Sequence, residues 1–213
     1  MTTHKKTKKF TIKRWVEYGC IALFIGLLFT TDLKAEVFGF VQRGILELGF
    51  FTPTIEQIDQ TDSKVNNAQT AHLSDYNAHH LELMDQNGNT LNVADLEGKV
   101  VFINFWATWC PPCIAEMPGI NNLYLDYADD KEVVFLLISR DRSFSKARSF
   151  NQEKGFAFNI YTAKSAIPQE FRARGIPNTY ILNKNGKIVF NHLGLGNYDT
   201  EKFRNFIDKL KAE

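Results

Sequence analysis

The sequence predicts an α/β domain built on a central mixed β-sheet with helices on both faces. Residues 100–106 and 132–138 are nearly continuous apolar runs, which is typical of strands buried on both faces. A helical pattern separates them, and a strand–helix–strand unit requires parallel strands. Near the C-terminus, Asn185-Gly186 joins two further strand-like runs in a hairpin, so these strands are expected to be antiparallel.

Turn and capping residues divide the predicted domain, residues 76–213, into successive elements. Asn87-Gly88 indicates an N-terminal β-hairpin, Gly155 ends a helix, and Asp199 is expected to cap the last helix. The predicted order is a hairpin at 80–93, a strand at 100–106, a helix with apolar positions from 114 to 127, a strand at 132–138, a helix at 143–154, a strand at 156–161, a short helix at 168–174, a hairpin at 179–190 and a final helix.

The charge of the chain is unevenly distributed. The whole sequence has a net charge of +1, but residues 1–14 contain six Lys or Arg and no acidic residue. Residues 15–213 therefore hold 19 bases and 24 acids, a net charge of −5. An acidic body disfavours binding to a phosphate backbone, so we expect no nucleic-acid partner.

Residues 15–31 come after this basic tip and are predicted to be a transmembrane anchor or a signal segment. Bases ahead of an apolar run keep the N-terminus in the cytoplasm and place the downstream chain outside it. An anchor needs about 20 apolar residues. The uncharged stretch from Tyr18 to Thr31 has 14, although Trp15 and Tyr18 could lengthen the span as an interfacial belt.

Two other interpretations of this segment remain open. A cleaved signal peptide suits the short apolar core, with a weak cleavage site after Ala35 because Leu33 stands where a small residue is preferred. A buried helix of a soluble domain would leave the basic cluster unexplained. The anchor and the signal peptide both place the domain outside the cytoplasm, in the periplasm where the cell has an outer membrane. Residues 32–75 would then be a juxtamembrane connector.

The pair Cys110-Pro111-Pro112-Cys113 lies at the predicted turn from a strand into a helix, which is more specific than Cys-x-x-Cys alone. Unpaired N–H groups and the helix dipole stabilise a thiolate at a helix N-terminus, so the pKa of Cys110 should be depressed. Cys110 is therefore predicted to be the attacking nucleophile. Cys113 lies one turn deeper and can close a disulfide with it as the resolving thiol. The two prolines are tolerated because first-turn N–H groups have no helical partner.

A zinc site and a purely structural disulfide are the alternative uses of this cysteine pair. Zinc would need two more ligands, and the candidates His79 and His80 lie about 30 residues upstream with no second cysteine pair. A structural disulfide would not need a helix N-terminus behind two tryptophans. We therefore expect neither a metal nor a cofactor.

The segment from Asn104 to Pro118, NFWATWCPPCIAEMP, resembles the active site of the thioredoxin superfamily. It is most similar to the membrane-anchored, exported branch of TlpA- and ResA-like thiol–disulfide oxidoreductases. The resemblance spans residues 76–213 and includes DQNGN at 85–89 and GIPNTY at 175–180. It implies a thioredoxin-like fold with an N-terminal β-hairpin extension and a membrane anchor helix. Asn104 departs from the buried aspartate of thioredoxin and agrees with the TlpA-like branch.

The resemblance also implies roles for individual residues. Pro177 matches the cis-proline that faces the disulfide in the family, and the backbone of Ile176 matches the edge that docks substrate. Glu116 matches an acidic residue that could relay a proton or raise thiol pKa values through charge repulsion. A solvent-exposed helix glutamate is the alternative for Glu116. The remaining residues of the implied substrate-binding rim are Trp109, Pro111 and Pro112.

The implied reaction is thiol–disulfide exchange with the redox-active pair Cys110 and Cys113. The implied partners are disulfide-bearing exported proteins, apocytochrome c among them, and a membrane protein that exchanges electrons with the dithiol. We expect a reductant more than an oxidant, and roles in cell redox homeostasis and antioxidant activity.

Two rival functions remain. A thiol peroxidase of the peroxiredoxin type would carry Thr three residues before its attacking cysteine, where this chain has Ala107. A non-catalytic thioredoxin-like binding module would present the same face without turnover. Because both cysteines and Pro177 are present, nothing in the sequence indicates that activity has been lost.

Overall fold

A computed structural model describes Tyr18, residues 81–172 and residues 174–213. The predicted basic tip, the anchor or signal segment and the connector lie outside these residues, apart from Tyr18, which is helical and exposed. The chain divides into two units, and the strands and helices of the sheet domain belong to the C-terminal one. Within the described part, no helix is both long and apolar enough to cross a bilayer.

Seven strands and three α-helices make up the described fold, together with two short 3-10 helices. The strands are β1 Glu82–Asp85, β2 Thr90–Asn92, β3 Val100–Trp106, β4 Val133–Ser139, β5 Ile160–Ala163, β6 Asn178–Leu182 and β7 Ile188–Leu193. The helices are α1 Pro111–Asp126, α2 Phe144–Lys154 and α3 Glu201–Ala212, with 3-10 turns at Val93–Leu96 and Gln169–Phe171.

All seven strands form one mixed sheet in the order β2-β1-β5-β4-β3-β6-β7. Strand β3 is parallel to β4, with Phe102 opposite Phe135, and β4 is parallel to β5. Strand β6 runs antiparallel to both β3 and β7. The predicted parallel unit and the C-terminal hairpin are therefore confirmed. At the other edge, β1 pairs antiparallel with both β2 and β5.

The two faces of the sheet are covered differently. Side chains alternate along β3, so that Phe102 and Trp106 join one buried cluster while Ile103 and Phe105 join another. All three α-helices contribute buried residues to the first cluster. Because β3, β4 and β5 are parallel and adjacent, right-handed crossovers place α1 and α2 on the same face. On the second face, the described residues contribute two 3-10 helices and loops, and none of the three α-helices described here contributes to its buried cluster.

Two predicted elements between α2 and β6 are shorter than expected. The strand predicted at 156–161 begins only at Ile160, because Phe156 and Phe158 stack on each other at 5.1 Å and pack into the core as a loop. The helix predicted at 168–174 is a single 3-10 turn, Gln169–Phe171. Pro168 is the N-cap of this turn, and Phe171 at its end is buried.

The predicted cap of the last helix is wrong by one residue. Thr200 is the N-cap of α3, and its hydroxyl accepts a hydrogen bond from the Phe203 N–H at 3.2 Å. The carboxylate of Asp199 instead accepts hydrogen bonds from Asn122 Nδ2 at 2.7 Å and Arg204 Nη2 at 2.6 Å. Asp199 therefore joins α3 to α1.

Candidate active site

The turn between β3 and α1 positions the cysteine pair as predicted. Cys110 is the N-cap of α1, and Pro111 and Pro112 occupy the first helical positions. The Cys110 N–H donates to Ala107 O at 3.1 Å, and the Cys113 N–H points at the Cys110 sulfur at 3.3 Å. The two cysteines form a disulfide with an S–S distance of 2.04 Å. The first-turn N–H thus faces the sulfur that would carry negative charge after reduction.

The two sulfurs differ in their accessibility. Cys113 is fully buried, whereas Cys110 keeps 4% of its surface exposed. Trp109 is 65% exposed beside them, but Trp106 is fully buried and packs on Phe150 in the core. Of the two tryptophans, only Trp109 can belong to the rim of the site. The exposure of Cys110 agrees with its predicted role as the attacking thiol.

Asp141 fastens the loop that leads into the disulfide. Its carboxylate accepts hydrogen bonds from the Thr108 N–H at 3.1 Å, the Thr108 hydroxyl at 2.7 Å and the Ser139 hydroxyl at 2.9 Å. Asp141 comes just after β4, whose carboxyl end lies next to that of β3. Sequence reasoning missed Asp141, although an acidic residue directly after a buried strand is a signal that could have identified it.

Glu116 is buried, so the alternative of a solvent-exposed helix glutamate is wrong. Its side chain is 2% exposed and lies three residues after Cys113 on the same face of α1. Asn104 Nδ2 donates to Glu116 Oε1 at 2.8 Å, and the Gly196 N–H donates to Oε2 at 3.1 Å. Burial raises the pKa of Glu116 to about 8, and these two hydrogen bonds reduce the effect without cancelling it.

Three further residues complete the surroundings of Glu116, and sequence reasoning missed all of them. Thr179 Oγ1 accepts the second hydrogen bond of Asn104 Nδ2, at 2.9 Å. Tyr198 is buried, and its pKa is raised first by burial and then by the charge of Glu116. A Cβ on Gly196 would lie 2.6 Å from the Tyr198 ring, so glycine lets this backbone reach the carboxylate. Thr179, Gly196 and Tyr198 are more than 60 residues from Glu116 in sequence.

The loop before β6 brings Ile176 and Pro177 to the cysteine turn. The Ile176–Pro177 peptide bond is cis. Because Asn178 pairs with Phe105, Pro177 lies at the end of β3 from which the cysteine loop departs. Ile176 and Trp109, the neighbours of Pro177 and Cys110 in sequence, both line a groove of about 970 Å³. Among the described residues, no cluster of His, Cys, Asp and Glu could hold a metal, and His79 and His80 lie outside them.

Comparison with known proteins identifies the family. Residues 60–206, more than half of the chain, match the Redoxin family. The chain belongs to the Redoxin family. More broadly, it is a member of the thioredoxin superfamily, and its relatives make it ResA-like. The thiol-disulfide oxidoreductase ResA of Halalkalibacterium halodurans is 31% identical over 132 residues, which cover 62% of this chain and 73% of ResA.

Other relatives agree with this Redoxin assignment. The thioredoxin-like protein YneN of Bacillus subtilis is 37% identical over 108 residues, covering 50% of this chain and 64% of YneN, just under two thirds of that protein. A putative thioredoxin from Neisseria meningitidis has a TM-score of 0.55 at 30% identity, covering 65% of this chain and 93% of the other. A putative thiol:disulfide interchange protein DsbE from Chlorobium tepidum has a TM-score of 0.54 at 25% identity, covering 61% and 92%. The fold is therefore thioredoxin-like.

Proposed function

We propose that this chain is a thiol–disulfide oxidoreductase whose Cys110–Cys113 pair exchanges electrons with the disulfides of other proteins. One observation carries the proposal: the disulfide closes on the N-cap of α1, where the Cys113 N–H faces the Cys110 sulfur. A sulfur in this position is stabilised as a thiolate and remains the more exposed of the two. The similarity to ResA supports the same reaction class.

The exchange proceeds in two displacements that conserve electrons. The Cys110 thiolate attacks one sulfur of the substrate disulfide, and the other sulfur leaves as a thiolate and takes up a proton. Cys113 then loses its proton and attacks Cys110, which releases the second substrate sulfur as a thiol. The substrate gains two electrons and two protons, and the Cys110–Cys113 disulfide forms. The reverse sequence oxidises a substrate dithiol.

Glu116 provides a proton acceptor and donor on the buried side of the pair. Cys113 has no exposed surface, so its proton must pass through the protein interior. Glu116 lies one turn along the same helix face, and its pKa of about 8 permits both protonation states near neutral pH. We therefore assign Glu116 to the proton exchange that accompanies attack by Cys113.

For the cellular setting, we propose a reductant held at the membrane by residues 15–31, with the Redoxin domain outside the cytoplasm. The six bases of residues 1–14 support this orientation. The dithiol would be restored by a membrane electron donor and would act on disulfide-bearing exported proteins, with apocytochrome c as one candidate.

Replacement of each cysteine tests the reaction. We expect Cys110→Ser to abolish reduction of protein disulfides, because the attacking thiolate is lost. Cys113→Ser should accumulate mixed disulfides, which non-reducing electrophoresis would show as adducts that dithiothreitol removes. Cys20→Ser is the matched control and should retain full activity. Full activity of Cys110→Ser would refute the assignment, and peroxide consumption by the unaltered chain would indicate a peroxidase instead.

The direction of exchange can be read from the reduction potential of the full chain, titrated against a thiol redox buffer. A potential near that of thioredoxin, about −270 mV or lower, would support the reductant. A potential near that of DsbA, about −120 mV, would mean an oxidant and would contradict this part of the proposal.

A further inference from the structure

The groove lined by Trp109 and Ile176 has an apolar floor. Trp109 immediately precedes Cys110, and Ile176 immediately precedes Pro177; both line the groove. Its floor includes Phe105 and Phe171, whose rings lie 6.3 Å apart and are both buried. A volume of about 970 Å³ can receive several side chains of a polypeptide. A segment lying in the groove would therefore be held beside the Cys110 sulfur.

The charged residues of this groove all have the same sign. Arg140, Arg172 and Arg174 line it, and no described lining residue is acidic. Residues 81–213 contain 16 bases, the three groove arginines included, and 16 acids, so the groove has a positive charge that the domain as a whole does not have. A concave surface of one sign concentrates ligands of the opposite sign.

These arginines are available to a ligand. All three are exposed, and within the described part of the chain none forms a salt bridge, whereas Arg204 is bound by both Asp126 and Asp199. The Arg172 Nε donates to Ile167 O at 2.9 Å, which fixes this side chain to the loop while its terminal nitrogens can still donate. The planar guanidinium group matches a carboxylate in geometry and charge.

We infer that this groove binds an acidic segment of the substrate protein, with an apolar side chain on the aromatic floor and carboxylates against Arg140 and Arg174. The inference rests on the proposed function, which it deepens by naming the substrate class. Binding in the groove aligns the adjoining disulfide with Cys110, so the charge of the segment determines which disulfides react quickly. Substrates with basic flanks are disfavoured by the same arginines.

Three peptides test this selectivity with the full-length chain. They share one intramolecular disulfide and one neighbouring Leu, and they differ in carrying Asp, Asn or Lys at the flanking positions. At low salt we expect kcat/KM for reduction to be at least about tenfold higher for the Asp peptide than for the Lys peptide. The difference should shrink at high salt, because exposed charges are screened. Gly in place of Leu should raise the KM of the Asp peptide.

Variants locate the effect. R140Q/R174Q should bring the Asp and Lys peptides to similar rates. A far-UV circular dichroism spectrum and a Cys110–Cys113 reduction potential like those of the unaltered chain would show that the variant is folded. R140E/R174E should reverse the preference. The matched control R148Q/K187Q removes two charges from outside the groove and should retain the preference.

The outcomes separate this inference from the function on which it rests. Equal rates for all three peptides, or a preference that survives in R140Q/R174Q, would overturn the acidic-segment inference and leave the oxidoreductase assignment standing. Failure to reduce any of the peptides, with no two-electron couple at Cys110 and Cys113, would overturn the proposed function itself.

Discussion

Glu116 shows how burial changes the chemistry of a single residue. A carboxylate in water accepts hydrogen bonds from several waters, but Glu116 receives one from Asn104 and one from the Gly196 backbone. Because the interior penalises the charged form, the pKa of Glu116 rises from the ordinary 4.5 to about 8. At neutral pH most molecules therefore hold Glu116 as the neutral acid.

This raised pKa predicts how the free energy of unfolding depends on pH. Between about pH 4.5 and pH 8 the unfolded chain releases the Glu116 proton, whereas the folded chain keeps it. The contribution of Glu116 to the free energy of unfolding is therefore fully present below about pH 4.5. It falls as the pH rises from 4.5 and is lost once the pH has passed 8. We expect Glu116 to reduce stability by about 3 to 5 kcal/mol across this interval. Urea denaturation of the oxidised chain at successive pH values measures the decline.

Two variants identify Glu116 as the source of this dependence. Glu116→Gln removes the titrating group and should flatten the profile between pH 5 and 8. Glu153→Gln changes an exposed glutamate of α2 and should leave the profile as it is. Equal slopes in Glu116→Gln and the unaltered chain would show that the pH dependence has another origin.

At the scale of elements, Asp141 connects the ends of two parallel strands to the active-site helix. It comes just after β4 and holds Thr108 in the loop between β3 and α1 through two hydrogen bonds. The Arg140 N–H donates to Trp106 O at 2.7 Å, so the backbone joins the same two strand ends. The position of the disulfide therefore depends on a residue about 30 positions away in the chain.

We expect Asp141→Ala to lower the free energy of unfolding by about 2 to 3 kcal/mol, because the Thr108 and Ser139 donors would lose their acceptor. Disulfide exchange should also slow, since the loop before Cys110 would be less fixed. Urea denaturation and the exchange rate measure these effects together. Asp129→Ala, a change at an exposed acidic residue, is the control. A change of under 0.5 kcal/mol in Asp141→Ala, about that of an ordinary surface substitution, would contradict the role of this residue.

The elements predicted well are those whose signals are local. Apolar runs indicated β3 and β4, Asn185-Gly186 indicated the turn between β6 and β7, and the cysteine motif indicated where α1 begins. The segment at 156–161 misled the prediction, because its aromatic residues pack as a loop and not as a strand. Aromatic and apolar composition alone does not separate these two structures.

The part of the site that sequence reasoning missed depends on long-range contacts. Gly196 contacts Glu116 across 80 positions in sequence, and Thr179 contacts Asn104 across 75. No local pattern reports such a pairing, because it exists only once β3, α1 and β6 have assembled. The cysteines were predictable since their chemistry arises from four consecutive residues.

At the scale of the whole molecule, one face of the sheet packs against the redox centre and the other contributes residues to the groove. The face with the three α-helices holds Glu116 and the disulfide in a rigid, buried setting. In the part of the chain that the structure describes, the other face is covered by 3-10 helices and loops, and these supply Phe171, Arg172 and Arg174 to the groove. Loops tolerate sequence change better than packed helices do. If the groove binds substrate as we infer, its specificity can vary without disturbing the redox centre.

The proposed anchor gives a prediction for the intact protein. Full-length chain expressed in bacteria should sediment with the membranes, resist extraction by high salt and dissolve in detergent, because residues 15–31 would be held by the bilayer core. A chain beginning at residue 36 is the matched control for a cleaved signal peptide. A shortened N-terminus on the mature full-length protein, found by mass spectrometry in the soluble fraction, would favour cleavage over anchoring.

Asn104 connects the charge of Glu116 to a change in orientation. Its Nδ2 donates to Glu116 Oε1, while Asn104 Oδ1 is buried and receives no hydrogen bond from any described residue. A protonated Glu116 has a hydroxyl that needs an acceptor, and rotating the Asn104 amide by half a turn would present Oδ1 to it. Each protonation of Glu116 on α1 would then be accompanied by a half-turn of the Asn104 amide on β3. The side-chain ¹⁵N resonance of Asn104 should therefore move between two positions as the pH passes 8.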